Sequence, residues 1–93
     1  VKKDAVKAKI LPVLKKHGVL RARLFGSVVR GEASAGSDVD LLVVLPDGKT
    51  LLDLVELKIE LEEILGVPVD VLTEGGLHPA LRPRIEEEAE AVL

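Results

Sequence analysis

The apolar positions divide the chain into segments of different period. From Lys2 to His17 they fall at Ala5, Val6, Ile10, Val13 and Leu14, between lysines. This stripe predicts a helix that Pro12 kinks or delimits and Gly18 ends. Leu20, Ala22 and Leu24 then alternate with Arg21, Arg23 and Phe25, the period of two expected of a short strand. That strand stops at Gly26. Ser27 is placed to cap a short helix through Val28, Val29 and Arg30, with Gly31 closing it and residues 32–37 forming a loop. Val39 to Leu45, VDLLVVL, is almost wholly apolar after its aspartate, as in a strand covered on both faces, and Pro46, Asp47 and Gly48 close it.

Residues 51–65, LLDLVELKIELEEIL, carry two periods at once. Residues 55–61 alternate strictly between apolar and charged, as an exposed edge strand does. Fifteen residues rich in Leu, Glu and Lys favour a helix by propensity, Leu54, Leu57, Leu61, Ile64 and Leu65 keep a helical stripe, and Gly66 is a natural C-cap. Val67 to Leu72 is a short strand with Pro68 at its start. Gly75 and Gly76 mark a loop, and Pro83, Ile85, Ala89 and Val92 a final helix whose Glu86 to Glu88 run is expected to be solvated surface. The order helix, strand, short helix, strand, helix, strand, helix predicts an α/β fold, a three-stranded mixed sheet packed with helices, as one domain over residues 1–93.

Composition narrows the function. The 93 residues carry a net charge of −3 and a single aromatic side chain, Phe25. An acidic chain without a stacking platform is a poor nucleic-acid binder, whereas a small nucleotide needs only a few local donors and a metal. No cysteine is present, which excludes disulfides, thiolate zinc sites and a cysteine nucleophile. The N-terminal segment is studded with lysine, and no run of about 18 apolar residues occurs, so a cytoplasmic protein without a membrane span is expected. The absence of Asn, Gln, Cys and Met beside abundant Val, Leu, Glu, Lys and Arg is the compositional pattern of a thermophile.

The candidate chemistry lies in FGSVVRGEASAGSDVD, residues 25–40. Asp38 and Asp40, two apart on a strand, project to one face about 6.5 Å apart. Two carboxylates so placed raise each other's pKa unless a cation relieves them, and Mg²⁺ is held by one or two carboxylates together with substrate phosphates. Gly26 and Ser27 sit between a strand and a helix start, a natural anion site, and Arg30 gains there from a phosphate oxyanion. Asp70 interrupts an otherwise apolar strand, so its face is open to solvent or it joins the charge cluster. His17, His78, Arg21, Arg23, Arg82 and Arg84 are expected at the surface and receive no role.

Leu24-Phe25-Gly26-Ser27, Arg30-Gly31-Glu32-Ala33 and Ser37-Asp38-Val39-Asp40-Leu41-Leu42-Val43, with ten residues between Ser27 and Asp38, resemble the minimal nucleotidyltransferases (MNT) of the DNA polymerase beta superfamily. The resemblance covers nearly the whole chain and implies that its C-terminal residues 81–93 are a helical tail. It also implies that Asp38, Asp40 and Asp70 are catalytic and ligate Mg²⁺, two ions in all, with Asp70 as general base. Gly26, Ser27, Arg30 and Ser37 would bind the nucleotide, ATP. Small members resemble the antitoxin half of HEPN/MNT toxin–antitoxin pairs, which implies adenylyl transfer to a hydroxyl of a HEPN-type partner protein. The competing expectation is a non-catalytic binding module that neutralises its partner by forming a complex.

Overall fold

The computed structural model describes residues 2–32 and 38–93. Its elements are α1 (Lys3–Lys16), β1 (Arg21–Phe25), α2 (Ser27–Arg30), β2 (Val39–Val44), α3 (Leu51–Leu65), β3 (Val69–Thr73), a 3-10 turn (Glu74–Gly76), α4 (Arg82–Glu88) and β4 (Glu90–Ala91). The sheet runs β3-β2-β1-β4, with β2 and β3 parallel and the other neighbours antiparallel. The α/β class and the mixed sheet are as expected; among the described residues the strand count is four rather than three.

The fourth strand replaces the end of the expected final helix. At Ala89 the backbone turns extended (φ −65°, ψ 139°), and the tail pairs with the outer edge of β1. The Ala22 carbonyl accepts from Val92 N–H at 2.8 Å, and the Ala22 N–H donates to the Leu93 carbonyl at 3.2 Å. An open strand edge presents unpaired backbone groups along its length, and satisfying them outweighs extending a short helix.

Other local expectations resolve as follows. Helix α1 continues through Pro12, held by Ile10, Val13 and Leu14, which are all buried. The α2 N-cap is Gly26, not Ser27, which is the first helical residue, and Gly31 closes the turn in the left-handed region at φ 74°. Helix α3 starts in a capping box between Thr50 and Asp53 and ends at Gly66.

The two sheet faces differ in composition. Ala22 and Leu24 on β1 lie opposite Val43 and Leu41 on β2, and Leu41 opposite Val71 on β3. These side chains face α1 and α3 and, with Val6, Ile10, Leu14, Leu57 and Leu61, form the main core. On the other face Arg23 is aligned with Leu42 and Leu72, and Phe25 with Asp40 and Asp70. Only Leu42, Leu77 and Ile85, with Phe25 and Ala89 packed on them, form a small second cluster there under α4.

Candidate active site

The parallel pairing of β2 and β3 sets Asp40 directly opposite Asp70. Asp40 is half-buried, whereas Asp70 and Asp38 are exposed, Asp38 lying immediately before β2. Burial raises the Asp40 pKa above its ordinary value; the Asp70 and Asp38 charges and a hydrogen bond with Asp70 raise it further, and Arg30 only partly offsets them. The expected three-carboxylate neighbourhood is therefore assembled from two strands, and Asp70 joins it while keeping contact with water.

Gly26 shows why the first strand must end in glycine. Its backbone lies at φ 82°, ψ −156°, and a Cβ there would stand 2.2 Å from Oδ2 of Asp40. The Asp40 carboxylate is thus seated against the bare Cα of Gly26. The donor set suits a hard cation: oxygen ligands only, like charges lacking compensation, and a carboxylate held by backbone shape. Among the described residues no three acidic or histidine side chains converge as a ready-made metal cage. A carboxylate pair with a third alongside matches Mg²⁺, which completes its shell from water and phosphate.

Arg30 and the Gly26 N–H do converge on an anion, and that anion is Glu88. The Glu88 carboxylate accepts from Gly26 N–H at 3.1 Å and from Arg30 Nη1 at 3.0 and 3.2 Å, while Arg30 Nε reaches Glu32 at 3.3 Å. Burial pushes the Glu88 carboxyl up, but Arg30 and the Gly26 N–H outweigh it and hold the pKa below the ordinary value. Of the glutamate run expected to be solvated surface, Glu86 and Glu87 are exposed, whereas Glu88 is half-buried and joins the site. Glu86 likewise pairs with Arg23 at 3.1 Å, and Arg23 also binds Glu74 at 2.6 Å. Arg23 sits on an interior strand under α4, not on a solvated edge. Ser27 opens α2 beside Gly26, and Ser37 lies outside the described residues.

Gly26, Arg30, Asp40 and Glu88 border a cleft of about 220 Å³ walled by Phe25, Leu72, Leu81, Arg84 and Ile85. Three larger concavities, of about 410, 520 and 700 Å³, contain none of the three aspartates, so chemistry rather than size marks the site. Sequence reading missed Glu88 and Arg84. A signal for Glu88 exists: it lies three residues after buried Ile85 and so shares the inner side of α4. His17 bonds Glu60 at 3.0 Å, and His78 Nδ1 accepts from Ala80 N–H at 3.0 Å, both away from the cleft.

The chain belongs to the nucleotidyltransferase domain family, whose profile matches residues 7–92. It is 57% identical over 90 residues to a protein of Methanocaldococcus jannaschii provisionally named a protein adenylyltransferase, covering 97% of each chain. A solved structure described as a minimal nucleotidyltransferase superposes with a TM-score of 0.81 at 48% identity, over 94% of this chain and 89% of that one. The fold also matches, with a TM-score of 0.75 at 20% identity, a structure of a tri-AMPylated Shewanella oneidensis HEPN toxin in complex with MNT antitoxin, over 97% of this chain and 71% of that one.

Proposed function

We propose that the protein is an Mg²⁺-dependent adenylyltransferase that moves AMP from ATP to a hydroxyl of a HEPN-type partner protein and so acts as its antitoxin. One observation carries this reading: Asp40, seated on Gly26, directly faces Asp70 across two parallel strands, beside the anion-binding pair of Arg30 and the Gly26 N–H. The 57% identical relative named a protein adenylyltransferase supports a protein acceptor. The HEPN partner rests on the resemblance to the MNT half of HEPN/MNT pairs, and the Shewanella oneidensis complex shows this fold at work in such a pair.

Asp38, Asp40 and Asp70 are the residues that would hold Mg²⁺, which would supply charge neutralisation at the α-phosphate and at the departing pyrophosphate. Gly26 N–H, the Ser27 hydroxyl and Arg30 bind the β- and γ-phosphates, with Ser37 as a further contact. The Glu88 carboxylate gives way as they do, since one set of donors cannot serve both anions. Asp70 accepts the proton of the acceptor hydroxyl as its oxygen bonds to the α-phosphorus. The bond from that phosphorus to the bridging oxygen breaks, and pyrophosphate carries away the electron pair.

Among the described residues no helix is long and apolar enough to cross a membrane, which suits one catalytic domain working in the cytoplasm, and the composition suits a thermostable chain. The test is incubation of the protein with Mg²⁺ and α-labelled ATP in host lysate. Label on one small helical protein, lost on chelation, is expected; label on RNA would redirect the acceptor, and no transfer at all would refute the enzyme reading.

A further inference from the structure

The double period of α3 has a structural meaning that the catalytic site does not use. Residues two apart on a helix point about 200° apart, so the alternation over 55–61 makes the helix apolar on two opposite sides. Leu57 and Leu61 are fully buried against the sheet, whereas Val55 is 41% and Ile59 51% exposed. Leu52, 65% exposed, extends the outer stripe at the spacing of one helical face. The fold's own core explains only the inner side. β-Branched residues at solvent-facing helix positions are weaker helix formers than the Glu and Lys around them, so Val55 and Ile59 gain nothing for the isolated helix.

Charge surrounds this stripe unevenly. Glu56 and Glu63 run along one edge, and among the described residues neither has an ion-pair partner, while Glu60 is taken by Lys16 and His17 and Glu62 by Lys58. Between Ile59 and the end of α1 a shallow concavity of about 700 Å³ adjoins the stripe and continues to half-exposed Ile64.

We propose that the outer face of α3 docks a helix of the protein partner, one with an apolar seam and Lys or Arg along its edge. This rests on the reading above only in taking the partner to be a helical protein. A straight stripe at helical spacing matches a helical seam, and the unpaired acidic edge calls for basic residues opposite it. A second copy of the chain is disfavoured: it would set Glu56 and Glu63 against acidic edges on a molecule already at −3. The stripe lies on the α3 side of the sheet and the three aspartates on the α4 side. A partner held there leaves the cleft open, so holding and adenylylating are separable acts.

Two synthetic amphipathic helices with the same leucine seam, one edged with lysine and one with glutamate, test this by fluorescence polarisation. The lysine-edged helix should bind at least about tenfold more tightly, and Val55→Glu with Ile59→Glu should weaken it at least about tenfold, with Mg²⁺–ATP-analogue binding and melting temperature retained. Glu56→Lys with Glu63→Lys should reverse the preference between the two helices. Equal binding to wild type and the Val55/Ile59 variant would overturn the proposal. So would a wild-type dimer, seen by sedimentation, that those substitutions dissolve. Helix binding without nucleotide binding would refute the transferase reading and leave the docking surface standing; nucleotide transfer without helix binding would do the reverse.

Discussion

The two faces of one sheet do opposite work, and the same strands supply both. Along β2 the odd positions Val39, Leu41 and Val43 enter a dry core under α1 and α3, while Asp40 between them faces α4 with Asp70 and Arg30 nearby. The core face is shielded and contributes stability by burial. The other face keeps like charges together around a half-buried carboxyl whose pKa burial and those charges raise, which works against folding. One thin sheet can hold such a site because the strands that carry the clustered charges are anchored from behind.

The sharpest way to break that division is to damage the core behind the site. Leu41→Ala removes a fully buried side chain next to Asp40 and should cost about 3 kcal/mol, or about 12–24 °C in melting temperature. Nucleotide affinity measured well below the melt should change little. Gly26→Ala should fail on both counts. A backbone conformation open essentially to glycine costs about 2 kcal/mol in another residue, and the new Cβ would displace the Asp40 carboxylate. Melting curves and nucleotide titrations should therefore fall together.

Asp40→Asn should act in the opposite direction on stability. The folded protein holds the Asp40 proton to higher pH than the unfolded chain, so its favourable contribution is present below the unfolded value near 3.8 and is lost as pH rises through the raised folded value. The metal-free variant should melt above wild type at neutral pH, and the gap should shrink as pH falls toward 3.8. The smallest effect is expected at Glu88. Glu88→Gln removes the charge that competes with phosphate for Arg30 and the Gly26 N–H, and because such solvent-reachable pairs are worth at most about 1 kcal/mol, nucleotide affinity should rise by roughly two- to fivefold.

Much of this was legible because strand and helix periods are local properties. The Gly26-Ser27 turn, the Asp38–Asp40 spacing and the buried strand around them follow from neighbours in the chain, whereas Asp70, which the sequence leaves either open to solvent or in the charge cluster, is exposed and set opposite Asp40. What escaped depends on distant pairing. Glu88 meets Arg30 across 58 residues, and β4 forms only because the β1 edge lies open to the C-terminal tail. The alternation over 55–61 was visible but read as competing with a helix. It is instead a helix with two apolar sides.

The α4-side face is expected to bind a metal–nucleotide complex through its carboxylates. Calorimetric titration of a non-hydrolysable ATP analogue, with and without Mg²⁺, into wild type and the Asp38→Asn, Asp40→Asn double variant tests it most directly. The account predicts Mg²⁺-dependent binding to wild type and its loss in a double variant that still melts at least as high. Equal Mg²⁺-dependent binding in both proteins would contradict it.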